Sequence, residues 1–305
     1  MSDNGNTTGY ARYLEAKRTV DERAVNHYVW RRFVEKLNTV ERGTPLHILE
    51  IGAGTGSTFF KVLDNVSHPS IIYRVVDLEA AHIDALKYKL KRWAQYKGGD
   101  VIEHADRVIV NIPGQSIDVR VCVDDIVRYL QAGTDSLLYD AIIGQAVLDL
   151  FDIDNLLTLL TNVLGEGGLY YFTINFDGVT TFLPEYNEEI DVLVESIYHD
   201  SMKEEGRDGS RSGRTVLMEL MRRGAKIVQA GSSDWIVCPN QDGGYMGDEE
   251  LFLLEILKFV KNELLASQKI ESSVVEDWYS YRRQQISNSS LVFIAHQLDV
   301  LASKG

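Results

Sequence analysis

Between residues 46 and 177, short unbroken apolar runs alternate with stretches whose apolar positions recur every three or four residues. LHILEI (46–51) reads as a buried strand, and TFFKVLDNV (58–66) as a helix. IIYRVVDL (71–78) then reads as a second strand and AAHIDALKYKLKRWAQY (80–96) as a second helix. VRVCVDDI (119–126) and YDAIIGQAVL (139–148) supply a third and a fourth strand. LLTLLTNVLG (156–165) is a helix ended by Gly165, and LYYFTINF (169–176) is a fifth strand. Strands apolar on both faces, separated by amphipathic helices, imply a mostly parallel sheet covered on both sides. Right-handed crossovers then give a doubly wound α/β fold.

The flanking sequence has a different rhythm. Residues 1–9 read as a frayed tail, and 10–38 as one or two amphipathic helices before Gly43 and Pro45 break the chain. After Phe176 comes an acidic helical stretch, then the glycine-rich GRDGSRSGR, and then a helix over 213–224. AKIVQAG (225–231) reads as a strand that DWIVC continues, 248–286 is helical, and SLVFIAHQLDVL (290–301) is a last strand. The expected organisation is a tail and helical cap over 1–45 and an α/β core over 46–177. A helical lid or substrate insertion over 178–215 follows, and 216–305 completes the sheet, with a further helical insertion at about 248–286. Such additions suit a lid over the carboxyl edge of the sheet, where open α/β folds bind ligands.

Charge narrows the partners. The formal net charge is −14, which disfavours a generic binder of nucleic-acid backbones. Cys122 and Cys238 both stand in apolar runs and read as small buried hydrophobes in a reducing compartment. The first residues lack a basic-then-apolar leader pattern. No apolar run approaches the roughly 20 residues of a membrane span, because Asp140, Asp149, Asp152 and Asp154 interrupt the best candidate. The chain reads as soluble and cytoplasmic, with no nucleic-acid or membrane partner.

The candidate chemistry lies in Glu50-Ile-Gly-Ala-Gly-Thr-Gly56. A dinucleotide fingerprint places its third glycine one residue later, where this chain has Ser57. A carboxylate two residues before the first glycine opposes a pyrophosphate and favours a cation. The segment resembles the class I S-adenosylmethionine-dependent methyltransferase family, and the resemblance continues in order along 46–177. It implies a Rossmann-like, seven-stranded sheet with N-terminal helices and helical lid insertions. It also implies S-adenosylmethionine as cofactor and S-adenosylhomocysteine as product.

By that resemblance Glu50, Gly52, Ala53, Gly54 and Gly56 hold the methionine part of the cofactor. Asp77, with Leu78 beside it, takes both ribose hydroxyls, as a carboxylate's two acceptor oxygens suit a vicinal diol. Asp125 and Ile126 take the adenine, with Asp124 left open as the acid by a one-residue ambiguity. The segment Gly144 to Asp149 borders the methyl-donor pocket, with Gln145 and Ala146 as its cofactor contacts, and the turn Gly165 to Gly168 precedes the fifth strand. The rival readings are a nicotinamide-dependent oxidoreductase, which also places an acid at the position of Asp77, and a non-catalytic binder of the same cofactor. A sulfonium enzyme moving another group is a further alternative.

Methyl transfer needs a nucleophile held in line, exclusion of water and a place for a proton. His199 and Asp149 are the candidate catalytic groups. Tyr13, Arg18, Tyr198, Arg211 and Arg214 are the candidate substrate contacts, with Arg207 beside the last two. Each has a plainer reading as a packed or solvated side chain. Asp149, Asp152 and Asp154 show no diagnostic ligand set, so no metal is expected. The expected partner is a small-molecule substrate, and the helical additions and last strand offer surfaces for a homodimer.

Overall fold

The computed structural model describes residues 6–41, 43–133, 137–203 and 209–305. Ten α-helices, two short 3₁₀ turns and ten strands occur among them, with one sheet in the order β3-β4-β5-β2-β1-β6-β7-β10-β8 and β9 paired to β10. The mixed α/β architecture with a mostly parallel central sheet is the one expected, and the sheet carries strands beyond the expected seven. The chain divides into two compact units. One, here the sheet unit, comprises 26–175, 213–231 and 299–305. The other, the helical unit, comprises 1–25, 176–212 and 232–298.

In the sheet unit, β1 (Leu46–Ile51) pairs in parallel with β2 (Ser70–Asp77) on one side and with β6 (Tyr139–Gln145) on the other. β5 (Gln115–Val123) is parallel to β2, and β7 (Leu164–Leu183) to β6. The strand order thus reverses at β1, which makes the β1–β6 edge a topological switch point. Helices α3 (Ser57–Asn65), α4 (Ala80–Tyr96), α5 (Ile126–Gln131) and α6 (Ile153–Val163) connect these strands. Helix α6 starts where the Asp152 side chain accepts from Asn155 N–H, and it buries Ile153, Leu156, Leu157 and Leu160, one stripe at helical spacing. These residues join Leu49, Ile51, Ile142 and Phe172 in a single core. Helix α2 (His27–Leu37) is capped by Asn26, and its Phe33 stacks on Tyr171 of β7 with centroids 4.2 Å apart.

Several elements differ from expectation. Residues 6–9 belong to α1 (Asn6–Ala24), not to a frayed tail. β3 (Asp100–Glu103) and β4 (Arg107–Ile112) form an antiparallel pair that extends the sheet beyond β5, and the sequence reading missed both. β8 (Lys226–Ser232) does not run on through DWIVC; β9 (Trp235–Val237) is separate and pairs antiparallel with β10 (Val292–Ser303). Gly165 to Gly168 lie within the bounds of β7, where the register against β6 shifts: these four residues stand against Asp140 alone, and continuous pairing resumes at Leu169.

The helical unit holds α1, α7 (Glu188–Ser201), α9 (Glu249–Ser267) and α10 (Ser272–Ser287), with α9 touching each of the other three. Phe252, Leu253, Leu257 and Val260 of α9 are fully buried there among Val194, Ile197, Val275 and Trp278. The Arg282 guanidinium, wholly buried, donates to Asp191 at 2.7 Å and to the Pro184 carbonyl at 2.6 Å. Pairing is what makes a charge tolerable in such a place. Helix α8 (Ser212–Arg222) lies almost entirely in the sheet unit, where its Val216 and Leu220 enter the core. Cys238 is exposed and Cys122 only partly buried, which corrects the expectation that both are buried. Cys238 falls just past the three-residue β9, where the chain has left the sheet. No helix among the described residues is long and apolar enough to cross a membrane.

Candidate functional site

Strand register brings the sequence-selected positions to one level. Ile51 lies opposite Val76 on β2 and opposite Gly144 on β6, while Asp77 lies opposite Val123 on β5. Gly52, Asp77 and Leu78, Asp124 and Asp125, and Gln145 and Ala146 therefore sit at the carboxyl ends of four adjacent parallel strands. Backbone bonds fasten the ends together: Gly52 N–H donates to Val76, Asp124 N–H to Asp77 and Ala146 N–H to Thr173.

The glycines of the β1–α3 loop have different tasks. A Cβ on Gly52 would stand 2.6 Å from Val147 Cγ2, and its φ is +61°, so both space and backbone exclude a side chain. Gly54 has φ +53°, yet a Cβ there would meet nothing within 4 Å. The first glycine lets the loop pack on the segment after β6; the second faces open space. Gly56, also left-handed, takes the cap position of α3. Ala53 between them is buried.

Two carboxyls lie under this loop. Glu50 is 1% exposed and accepts from the Tyr73 hydroxyl at 2.5 Å. Burial pushes its pKa up to about 8; the Tyr73 hydrogen bond opposes the rise and the Asp77 charge adds to it. Asp77 is buried but well supplied with donors: Oδ2 accepts from Gly54 N–H at 2.8 Å. Its Oδ1 accepts from Glu79 N–H at 2.9 Å and from His82 Nδ1 at 3.0 Å. Gln145 Oε1 accepts from the Thr58 hydroxyl at 2.7 Å, tying the end of β6 to the first turn of α3.

The third strand tip is less open than expected. Asp125 caps α5 by accepting from Arg128 N–H through Oδ1, and Ile126 is buried in the core of the sheet unit. Asp124 pairs with the Arg128 guanidinium. Leu78 is exposed at the tip of β2. Tyr73, His82 and Thr58 were missed, and Val147 was read only as part of the segment after the fourth strand. Tyr73 reads as one more apolar strand residue, and only the position of His82, in the first turn of the helix following Asp77, signals that it can fold back onto the strand end.

The other candidates are dispersed. Asp149 lies in a short 3₁₀ turn after β6, and Arg214 is exposed on α8. Tyr13 is a core residue of the helical unit, stacked on Phe252 at 5.9 Å and edge-on to Phe259 at 5.1 Å. Arg18 pairs with Glu22 one turn along α1. His199, half-buried on α7, bonds the Thr180 hydroxyl at 3.0 Å, and burial pushes its pKa down. Tyr198 lines a cleft in the helical unit with Thr181, Phe182, Glu188 and Glu195. Arg211 is exposed beside the start of α8, and Arg207 lies outside the described residues. Among the described residues no group of three or more His, Cys, Asp or Glu is placed to hold a metal ion.

What fold and site define together is an open, doubly wound α/β chain with a glycine loop and acidic strand ends at its switch point. No known protein family's profile matches the chain, and no curated protein matches it. Solved structures do resemble it. A protein of Bacillus halodurans C-125, provisionally assigned as a methyltransferase, matches with TM-score 0.49 and 11% identity over 89% of this chain and 97% of its own. The cyclopropane synthase MmaA2 of Mycobacterium tuberculosis matches with TM-score 0.45 and 10% identity, covering 89% of this chain and 82% of that one. Geranyl diphosphate C-methyltransferase of Streptomyces coelicolor A3(2) gives TM-score 0.43 and 12% identity over 92% and 80%. These likenesses are of general outline, and the reading of the site rests on its own residues.

Proposed function

We propose that the chain is an S-adenosylmethionine-dependent methyltransferase acting on a small-molecule acceptor. The observation that carries this reading is the register: the glycine loop, Asp77, the Asp124–Asp125 pair and Gln145–Ala146 end four neighbouring parallel strands at one level. The donor and acceptor set fits the group. Open space over Gly54 admits a ligand body close to the backbone, Asp77 offers carboxylate oxygens to a diol, and buried Glu50 offers a counter-charge to an ammonium once its own proton leaves. Asp125 keeps Oδ2 for a purine amine while Oδ1 caps α5. The cofactor supplies a methyl group already activated on a sulfonium, so the protein's residues have to bind, orient and exclude water. A net charge of −14 supports a small acceptor over a polyanion.

Isothermal titration with S-adenosylhomocysteine tests the reading. Wild-type protein binds it, and Gly54→Arg, which fills the open space, abolishes binding. Gly114 is the control, because it too has a left-handed φ (+81°) with nothing within 4 Å of a Cβ, but it sits in the β4–β5 turn. Gly114→Arg leaves binding intact. Wild-type protein that ignores millimolar S-adenosylhomocysteine, or binds reduced nicotinamide dinucleotide in its place, rejects the methyltransferase reading.

A further inference from the structure

Asp77 accepts three hydrogen bonds within the protein, and this count has a consequence for any ligand. A carboxylate offers about four acceptor positions, two on each oxygen. Oδ1 is filled by Glu79 N–H and His82 Nδ1, and Oδ2 is half filled by Gly54 N–H. A ribose brings two neighbouring hydroxyl donors, and only one acceptor position is open to them. One of the three present donors has to give way.

The three differ in how readily they leave. Glu79 N–H is backbone, two residues along from Asp77, and Glu79 is itself the cap residue of α4. Gly54 N–H belongs to a loop held at Gly52 by Val76 and Val147 and at Gly56 by a bond to the Ala53 carbonyl. His82 is a side chain in the first turn of α4, about a quarter exposed, so rotation takes its ring to water. The carboxylate only accepts, so His82 Nδ1 carries the hydrogen in this contact.

We propose that His82 competes with the vicinal diol of a nucleoside ligand for Asp77 Oδ1, so that the imidazole holds the diol's place until the ligand displaces it. The inference rests on the nucleoside reading of this site. A ligand that must first displace a bound group has its apparent affinity reduced by the fraction of protein in which that group is already displaced. His82 thereby sets affinity and makes the site answer to the diol, without touching the reacting atoms.

Calorimetric titration of wild-type, His82→Ala and His82→Asn proteins decides it, with S-adenosylhomocysteine, adenosine and 2′,3′-dideoxyadenosine as probes. His82→Ala binds the two diol-bearing probes several-fold to about tenfold more tightly, the scale of one hydrogen bond to a charged group. His82→Asn, which keeps a donor, stays near wild type, and dideoxyadenosine shows no gain in any variant. His82→Leu serves equally if the alanine variant is poorly folded by circular dichroism. Equal or weaker binding by the variant lacking the donor overturns the proposal and makes His82 a support for Asp77. A gain that dideoxyadenosine shares overturns it too. Wild-type protein that binds neither S-adenosylhomocysteine nor adenosine rejects the nucleoside reading itself, a different result from equal affinities.

Discussion

Glu50 is ionisable, almost wholly buried, and hydrogen-bonded to a neutral hydroxyl instead of a cation. Its pKa rises from an ordinary 4.5 to about 8, so the folded chain keeps a proton that the unfolded chain has lost between those two values. The folded state binds more protons in that window, and stability must fall as pH rises through it. The contribution of Glu50 is complete below about 4.5 and gone above about 8. Denaturant unfolding of wild-type and Glu50→Gln proteins across pH 4.5 to 9 isolates it: the wild type loses ground to the variant as pH rises. Tyr73→Phe removes the interaction that holds the pKa down, so the window extends above 8, at a cost of about 1–3 kcal/mol for the lost buried hydrogen bond. Parallel pH profiles for wild type and Glu50→Gln would show Glu50 to be ionised throughout. The same proton bears on binding, because a ligand ammonium can pair with Glu50 only as that proton leaves.

The β1–α3 loop shows at the scale of an element what a sequence motif can and cannot say. Its three alternate glycines mark a tight strand-to-helix turn, but not which of them packs and which faces open space. The answer lies in Val147, almost a hundred residues on, whose Cγ2 leaves no room at Gly52. Gly52→Ala costs about 2–4 kcal/mol, combining a left-handed backbone with overpacking. Val147→Ala removes the obstruction, so the double variant loses at least about 1 kcal/mol less than the two single losses together. Strict additivity in thermal or denaturant unfolding would mean that backbone strain alone excludes the side chain. Elements with a complete apolar signature were readable in advance, as β1, β2, β6, α4 and α6 were. β3 was not, because Asp100–Glu103 is a mostly exposed edge of four residues with no buried run to betray it; β4 does bury Val108 and Val110 at alternate positions, a period-two signal that the reading passed over. His82 was hidden for a related reason: a polar residue on an amphipathic helix reads as surface until the strand end it folds back on is known.

Each unit of the whole molecule is built from three stretches of chain, and here local pattern has least to say. The sequence identifies α1 and α9 as helices, but not that Tyr13 of one is enclosed by Phe252 and Phe259 of the other, so a buried aromatic resembled a substrate contact. The sheet unit has a comparable junction at Asp299, near the end of β10. Its wholly buried carboxylate accepts from Ile174 N–H on β7 through one oxygen and from Asn26 N–H at the start of α2 through the other, both at 2.8 Å. Three chain segments meet there, and the one carboxylate joins the backbone donors of two of them to the third. Asp299→Ala therefore removes both bonds and lowers unfolding stability by about 2–4 kcal/mol, although no apolar contact is lost. Asp299→Asn, with a single acceptor oxygen, falls between. A loss below about 1 kcal/mol for the alanine variant would mean that water reaches Ile174 N–H, and that burial of Val300, Leu301 and Ala302 suffices to hold the end of β10 in the core.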